Sequence, residues 1–390
     1  MRRSAAIVGI GETPYVRRSQ RSLTALVIEA VEKALADAGL AGSDVDMIIT
    51  EGGLMPTAAP PDEVARCIGV TRSYSVRTAG TYGAGIAGAH LAAKEAIESR
   101  SAAVVLSYFG VDWGSHAGAF HGLGGSPGSM KYALERPTGL FVQPVLFAAM
   151  ANRYKHVHGV DLEPALGRLA VELRAHALAN GSGQLSKPLT FDDYLAAPFV
   201  AEPLRVPDCC LLTDGAGATV TVGSDRARDL RQVPVDIRGG AFSSSPDRMS
   251  DFFTQSRGYP FFESARIASR RALELSGMGL GEMDFVQLYD CFTISLLLQM
   301  EDIGLCEQGS AVEYIGSGDT VGMRNSDTPI NTHGGLLSHA YVLGIAHVIE
   351  AVRQLRGTAG TGQVPDAVTG LVGLLTGSQY CAIVLGQEAS

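Results

Sequence analysis

Apolar residues recur at helical and strand spacing along the 390 residues of this chain. Residues 4–10 form a short apolar run that predicts a buried strand, and residues 22–38 carry apolar side chains at helical spacing. Ser22 is the expected N-cap of that helix and Gly39 its end. Further predicted elements, in order, are a strand at 45–49, a helix at 83–99 and a strand at 102–108. This alternation predicts a layered α/β fold.

The pattern changes from about residue 111 to residue 207. Glycine-rich stretches such as GLGGSPGS at 122–129 alternate there with two predicted helices, at 142–158 and 164–179. We interpret this region as an inserted loop domain that lies over the core. A strand signal returns at 214–222.

The second half of the chain resembles the first. The segment ALADAGLAGSDVDMII at 34–49 aligns without gaps with ALELSGMGLGEMDFVQ at 272–287, so that helix, glycine stop, acidic turn and strand recur together. The hexapeptide YGAGIA at 82–87 likewise resembles YVLGIA at 341–346, each at the start of a predicted helix. We therefore expect duplicated α/β halves at 1–232 and 233–390. Such halves would bring two helix N-termini toward a common centre.

Composition and charge exclude several classes of binding partner. Hydrophobic residues make up 46% and charged residues 18%, as in a folded globule. A formal net charge of -9 argues against nucleic acid or an anionic membrane as the partner. No run approaches the roughly 18 apolar residues of a membrane span. Six scattered cysteines without Cys-x-x-Cys spacing fit buried thiols in a reducing cytoplasm, and no metal site is expected.

The candidate site centres on the segment 331–357, where Asn331, Gly334 and Gly335 precede an apolar helix. Two consecutive glycines let a ligand approach the backbone, and a helix N-terminus offers unpaired amide donors. This turn therefore suits a thioester or a developing oxyanion. His333 and His339 flank it; each could hydrogen-bond the substrate, tune a phenol, or simply hydrogen-bond the turn.

These features together resemble the thiolase superfamily, most closely its sterol-carrier-type branch. The resemblance spans nearly the whole chain, through GIGETPY, PVLFAAMANRYKHVHG, PLTFDDYLAAPFVAEPLRVPDCCLLTDGAGATV, YDCFT and the segment that begins at Asn331. It implies the thiolase fold, with two duplicated halves in a layered α-β-α-β-α arrangement.

The residues at the family's active-site positions nevertheless differ. Tyr82 begins the segment that matches the nucleophile motif Cys-x-x-Gly, Tyr289 begins the segment that matches His-Asp-Cys-Phe, and Tyr341 stands in place of the Gly-His-Pro histidine. The C-terminal Cys-x-Gly has no counterpart, because Cys381 falls within a predicted strand. Thiolysis needs a reactive thiolate, whereas a phenol with a pKa near 10 is a poor acyl acceptor.

Retro-aldol cleavage of a β-hydroxyacyl-CoA is compatible with these replacements. It requires a base for the hydroxyl proton, an oxyanion site for the thioester enolate and an acid to protonate that enolate, but no covalent intermediate. Tyrosines can serve when a neighbour lowers the phenol pKa or when a relay connects them. Tyr82 is more simply a steric plug at the former cysteine position. Asp290 could orient a tyrosine or, as we favour, cap the helix predicted to begin at Phe292.

The tyrosine replacements are similar to those of one branch, the steroid side-chain-cleaving aldolases. Resemblance to that branch implies cleavage of a 17-hydroxy steroid-20-carboxyl-CoA to a 17-keto steroid and propionyl-CoA. It implies Tyr289 and Tyr341 as the two proton-transfer residues, in either order. It also implies a homodimer joined by an OB-fold partner protein in a heterotetramer, with CoA present only as part of the substrate.

Two other functions fit the same residues. One is a catalytically silent thiolase-like subunit that binds acyl-CoA or acts as a scaffold for a partner. The other is a thiolase with a relocated cysteine such as Cys291.

Overall fold

The computed structural model describes residues 4–50, 59–80, 82–116, 131–140, 142–245, 262–317 and 328–387; the glycine-rich stretch 122–129 lies outside them. The strands are β1 (Ala5–Glu12), β2 (Met47–Thr50), β3 (Ser75–Thr78), β4 (Val104–Asp112), β5 (Phe199–Ala201), β6 (Leu204–Arg205), β7 (Asp214–Gly223), β8 (Val235–Ser244), β9 (Phe285–Leu288), β10 (Thr369–Thr376) and β11 (Gln379–Gly386). The helices are α1 (Leu23–Ala38), α2 (Pro61–Cys67), α3 (Tyr82–Glu98), α4 (Gln143–His158), α5 (Glu163–Asn180), α6 (Phe191–Ala196), α7 (Ser224–Ala227), α8 (Glu263–Ser276), α9 (Thr293–Ile303), α10 (Ala311–Gly316) and α11 (Ile345–Leu355).

The ends of α1 confirm the sequence prediction. The Ser22 hydroxyl accepts a hydrogen bond from the Ala25 N–H, which satisfies one of the amides left free in the first turn. Gly39 ends the helix in the left-handed conformation, with φ of 72°. The apolar face of α1 is buried against β1, β4 and β7.

Nine of the described strands form one mixed sheet in the order β3-β2-β4-β7-β1-β8-β11-β10-β9. Read outward from the β1–β8 junction, the two sides repeat. On one side, β1 pairs with β7 and β7 with β4 in antiparallel fashion, and β4 pairs with β2 in parallel. On the other side, β8 pairs with β11 and β11 with β10 in antiparallel fashion, and β10 pairs with β9 in parallel. The junction itself pairs only residues 6–7 with 235–236. Each side is therefore a half-sheet with the same order of pairings, and β3 adds a fifth strand, parallel to β2, to the first.

The predicted internal repeat is present in register. The alignment that pairs Gly39 with Gly277 also pairs β2 with β9 residue for residue. Both glycines cap their helices with positive φ, 72° and 74°. The predicted boundary between residues 232 and 233 falls between α7 and β8, in the short link from one half-sheet to the other.

The helices form layers around the two half-sheets. α1 packs on one half-sheet from outside and α8 packs on the other, whereas α3 and α11 contact strands of both. The order is therefore helix, half-sheet, helix pair, half-sheet, helix, as the resemblance implied. The N-termini of α3 and α11 lie in the central layer, which puts the chain segments before them between the halves.

The second sequence similarity is only partly reflected in the backbone. α3 begins directly at Tyr82, but α11 begins at Ile345, so that Tyr341 lies before the helix rather than at its start. Leu343 and Gly344 have positive φ, 51° and 99°, so the backbone between Tyr341 and the helix is not helical. The second hexapeptide therefore does contain the start of a helix, as expected, but the helix begins only at its fifth residue, Ile345.

Helices α4 and α5 confirm the two helices predicted within the inserted region. α5 packs against the short π-helix Gly335–His339, and it also contacts α6, α9 and α10. The inserted region therefore supports the segment that leads to Tyr341.

Candidate active site

Tyr289 and Tyr341 meet in the interior of the molecule. Their phenolic oxygens are 3.3 Å apart, within hydrogen-bond distance, and either can be the donor. The two residues are 5% and 9% exposed. Two side chains 52 positions apart in the sequence thus form one hydrogen-bonded pair of phenols.

Tyr289 is held at the end of β9 from several sides. Its N–H donates to the Gly373 carbonyl of β10, and its carbonyl accepts from Gln299 Nε2 at 2.5 Å. Gly83, in the first turn of α3, lies against its ring: a Cβ at that position would come within 2.6 Å of Cε2 of Tyr289. The ring therefore fits only because residue 83 has no side chain.

Tyr341 lies between the π-helix and α11, where no helical hydrogen bond holds its N–H. That N–H donates instead to Thr213 Oγ1 at 2.9 Å. Its ring packs against the indole of Trp113, with centroids 4.8 Å apart. Trp113 follows β4 directly, so the first half of the chain contacts a phenol supplied by the second.

Burial controls the protonation of this site. Loss of hydration raises the pKa of both the Tyr289 and the Tyr341 phenol well above the ordinary value, because the charged phenolate is the form that burial disfavours. Both phenols are therefore protonated near neutral pH. The hydrogen bond from Tyr289 lowers the pKa of the Tyr341 phenol, but burial outweighs it. The two phenols are nevertheless connected by a hydrogen bond, as a relay requires.

Cys291 is a poor candidate for a relocated nucleophile. Its sulfur lies 3.6 Å from Ser295 Oγ in the core, and burial raises the pKa of the thiol to about 12. A thiol with that pKa has almost no thiolate at neutral pH. Cys381, at the position considered for the missing C-terminal motif, lies within β11 and is buried.

The predicted helix cap at Asp290 is wrong. α9 begins at Thr293, and the N–H of its N-cap residue, Phe292, is satisfied by Ser295 Oγ. Asp290 Oδ1 accepts instead from the Leu336 N–H at 2.8 Å and lies 3.1 Å from His347 Nε2. Asp290 therefore ties the end of β9 to the π-helix and to α11.

The three residues predicted as an oxyanion frame have other partners. The Asn331 amide accepts from the Leu288 N–H at 2.7 Å and donates to the Leu288 carbonyl at 2.8 Å. Gly334 and Gly335 both have positive φ, and a Cβ on them would strike α5 and the Asp290 carboxylate, respectively. The glycine pair is thus explained by close packing and backbone conformation, and the Asn331 side chain by its hold on β9.

His333 and His339 lie near the glycine turn but do not contact the phenol pair. The His339 Nε2 atom is 3.1 Å from Ser182 Oγ, and its ring lies edge-on to Tyr15. The His333 ring sits between those of His339 and His347, with centroids 4.9 and 4.7 Å away. Burial lowers the pKa of His333 well below its ordinary value and that of His339 to about 4. Both imidazoles are therefore uncharged at neutral pH, and neither ring nitrogen of His333 has a hydrogen-bond partner within the described residues.

Tyr82 occupies the first position of α3 with a φ of 46°, an uncommon conformation for a residue with a side chain. It is half-buried, and its phenol lies close enough to Tyr341 to raise the pKa of that phenol further. The strained tyrosine therefore stands beside the pair.

Sequence reasoning missed several residues that shape the site. Tyr341 is contacted by Thr213 and Trp113, and Thr213 is in turn hydrogen-bonded to Gln184. Asp290 is contacted by His347. Thr213 lies in the run quoted above for its resemblance, but nothing in the spacing indicates that its hydroxyl receives an amide 128 positions away. Such contacts depend on how the inserted region folds back over the second half.

Two features are absent from the described part of the chain. Within the described ranges, no group of three or more His, Cys, Asp or Glu side chains is arranged to hold a metal ion. In the same ranges no helix combines the length and the apolar character needed to cross a bilayer.

Comparison with known proteins agrees with this geometry. A family model described as thiolase C-terminal domain-like matches residues 248–387. The chain is 34% identical to the steroid side-chain-cleaving aldolase of Thermomonospora curvata, over 99% of this chain and 98% of that protein. It is 36% identical to the 17-hydroxy-3-oxo-4-pregnene-20-carboxyl-CoA lyase of Mycobacterium tuberculosis, over 98% of this chain and 99% of that protein.

Among solved structures, the chain is similar to the "Ltp2-ChsH2(DUF35) aldolase", with a TM-score of 0.89 and 32% identity over 99% of this chain and 98% of that one. The thiolase fold implied by the sequence motifs is confirmed by this match together with the layered half-sheets. The chain belongs to the thiolase superfamily, in the branch of the steroid side-chain-cleaving aldolases.

Proposed function

We propose that this protein catalyses retro-aldol cleavage of a β-hydroxyacyl-CoA, specifically a 17-hydroxy steroid-20-carboxyl-CoA, to a 17-keto steroid and propionyl-CoA. The observation that carries the proposal is the contact of 3.3 Å between the Tyr289 and Tyr341 phenols, at positions where thiolases have catalytic residues. The names of the two relatives support the same reaction class.

The bond changes in this reaction balance without a covalent intermediate. The hydroxyl proton leaves and a carbonyl forms at the carbon that carried the hydroxyl. The bond between that carbon and the α-carbon of the thioester breaks. Its electron pair becomes the thioester enolate, which then takes up one proton on the α-carbon. One proton is released and one is consumed, so the enzyme needs only to move a proton from oxygen to carbon.

The phenol pair performs this transfer as a relay. The raised pKa of both tyrosines rules out a standing phenolate as the base at neutral pH. One phenol therefore accepts the substrate proton as it passes its own across the 3.3 Å contact, and its neighbour protonates the enolate. Both side chains end as neutral phenols, ready for another turnover.

The enolate oxygen requires donors other than Asn331, whose amide is engaged with Leu288. The first-turn amides of α3 other than that of Ala84, which donates to Thr376 Oγ1, are suitable, because Gly83 in that turn lies against the Tyr289 ring and a helix N-terminus favours negative charge. Tyr82 restricts the space in which a thiolase would carry its cysteine. CoA enters this scheme as part of the substrate.

We propose that the working enzyme is a homodimer joined by an OB-fold partner protein in a heterotetramer. Among the described residues, β2 is the one neighbour of β3, whose residues are all exposed and include Val76 at 49%. An exposed edge strand of this kind can pair with a second copy. The similar solved structure is itself named for two components. All six cysteines are unpaired, including the exposed Cys67. Unpaired thiols suit a reducing cytoplasm.

The direct test is incubation with the steroid hydroxyacyl-CoA, with and without the partner protein, followed by mass analysis. The expected products are a 17-keto steroid and propionyl-CoA in equal amounts. A silent scaffold would bind the thioester without releasing either product. A thiolase that used Cys291 would instead require free CoA and would carry an acyl adduct on that residue. Either result would contradict the proposal.

A further inference from the structure

The chain segment 209–213, which we call the strap, contacts both segments that carry the phenols. Near Tyr289, the Cys210 N–H donates to the Cys291 carbonyl at 3.0 Å, and Cys209 forms a bridge with Phe292. Near Tyr341, the Leu211 N–H donates to the Leu336 carbonyl at 3.1 Å. The strap therefore spans the two segments on one side of the pair.

The last strap residue, Thr213, holds Tyr341 directly. Its hydroxyl accepts the Tyr341 N–H at 2.9 Å and donates to Gln184 Oε1 at 2.9 Å. Thr213 is fully buried. Because Tyr341 lies outside any helix, this hydroxyl replaces the backbone acceptor that a helix would supply.

Gln184 fixes the other end of the same link. Its N–H donates to the His339 carbonyl at 2.8 Å, two residues before Tyr341, and its Nε2 donates to the Leu212 carbonyl at 3.2 Å. The residue thus joins the inserted region, the strap and the segment of Tyr341. Gly183 beside it lies close to the His339 backbone.

We infer that Thr213 and Gln184 are positioning residues that set the separation of the two phenols, and thereby the rate of proton transfer between them. This inference rests on the function proposed above. Transfer across an O–O contact depends steeply on distance, so that a shift of about 1 Å in a reacting group can cost on the order of 10²-fold in rate. Neither residue contacts the phenolic oxygens themselves.

The test compares Thr213→Val, which removes the hydroxyl at nearly constant shape, with Thr213→Ser, which keeps it. Thr221→Val is the matched control: Thr221 is fully buried in β7 and its hydroxyl has no hydrogen-bond partner within the described residues. We expect Thr213→Val to lower kcat by roughly 10- to 100-fold with KM changed less than about threefold. Thr213→Ser should recover most of that loss, and Thr221→Val should match the unmodified enzyme.

Amide hydrogen exchange at residues 340–344 provides a readout that does not depend on turnover. Exchange of the Tyr341 amide should accelerate in Thr213→Val but not in Thr221→Val. If Thr213→Val fails to fold, Gln184→Leu weakens the same link while Thr213 stays in place, and the same acceleration is expected. Equal exchange and equal kcat in Thr213→Val and Thr221→Val would overturn the inference. Absence of lyase activity in the unmodified protein would instead contradict the proposed function, while the exchange experiment would still decide whether Thr213 holds Tyr341.

Discussion

The two halves of this chain begin their central helices with related hexapeptides but use them differently. In the first half, Tyr82 starts α3 itself, with a strained φ of 46°. In the second half, Tyr341 lies before α11, separated from it by the positive φ values of Leu343 and Gly344. The first tyrosine is therefore fixed by its helix, whereas the second depends on hydrogen bonds from remote segments.

This difference indicates how a duplicated fold can acquire a new reaction. The half-sheets, their helices and their glycine caps are repeated in register, so that the scaffold constrains both halves alike. The short segments before the central helices diverge. The phenol pair lies where the second of these segments brings Tyr341 to Tyr289 at the end of β9.

The largest expected effect comes from removing one phenolic hydroxyl of the pair. Tyr289→Phe or Tyr341→Phe interrupts the relay, so kcat should fall by roughly 10²- to 10⁴-fold. Tyr82→Phe, in the first half, should cost less than about tenfold, because Tyr82 stands beside the pair. Steady-state kinetics together with thermal unfolding test this comparison. Similar losses in all three variants would mean that the first-half tyrosine is an equal member of the site.

A smaller effect is expected from Gly83→Ala, which forces the two halves apart at their contact. The new Cβ would lie 2.6 Å from both the Tyr289 ring and the Leu375 carbonyl. Overpacking of this kind costs about 1–3 kcal/mol of stability, and displacement of the ring should lower kcat by roughly 10- to 100-fold. Gly281→Ala is the matched control, since a Cβ there meets nothing within 4 Å. Chemical denaturation and kinetics on both variants measure the difference, and equal behaviour would contradict close contact at Gly83.

The smallest effect concerns pH and the histidines that support the second half. Burial lowers the pKa of His176, which lies 3.2 Å from the Asn331 carbonyl, to about 4, whereas an unfolded histidine titrates near pH 6.5. As the pH falls, His176 takes up a proton in the unfolded chain before it does so in the folded chain. The stability contributed by neutral His176 is therefore present above pH 6.5 and is lost as the pH falls toward 4. At pH 5 the loss is about 2 kcal/mol.

Other groups oppose this trend. Burial raises the pKa of Asp302 to about 7 and that of Asp208 to about 6, so the folded state gains stability from these carboxyls as the pH falls. A single-site variant isolates the histidine term. Between pH 7.5 and pH 5, His176→Gln should lose about 2 kcal/mol less unfolding free energy than the parent in urea denaturation. The exposed control His156→Gln should not differ from the parent, and an unchanged pH dependence in His176→Gln would contradict a neutral buried imidazole.

Local sequence signals predicted the parts of the fold that local interactions determine. The cap at Ser22, the stop at Gly39 and the repeated helix–strand unit depend on near neighbours, and the structure contains them. The pairing of Tyr289 with Tyr341 was accessible only through motif positions, because 52 residues separate them.

The prediction that failed concerns a side chain with more than one possible partner. Asp290 has the residue type and position of a helix cap, but Ser295 satisfies that helix and Asp290 bonds to Leu336 and His347 instead. A distant segment, invisible to sequence spacing, decides the contact. The ligand turn expected at Gly334 and Gly335 stays a prediction, and a Cβ on these residues would meet α5 and Asp290.

The hold of Asn331 on Leu288 also affects which edge of the sheet is open. Ile330 bridges Val286, and the Asn331 amide then bonds the Leu288 backbone as a further rung, so the outer side of β9 is already occupied. At the opposite end of the sheet, all four residues of β3 are exposed. Within the described residues, an added strand therefore has β3, and not β9, as its available edge.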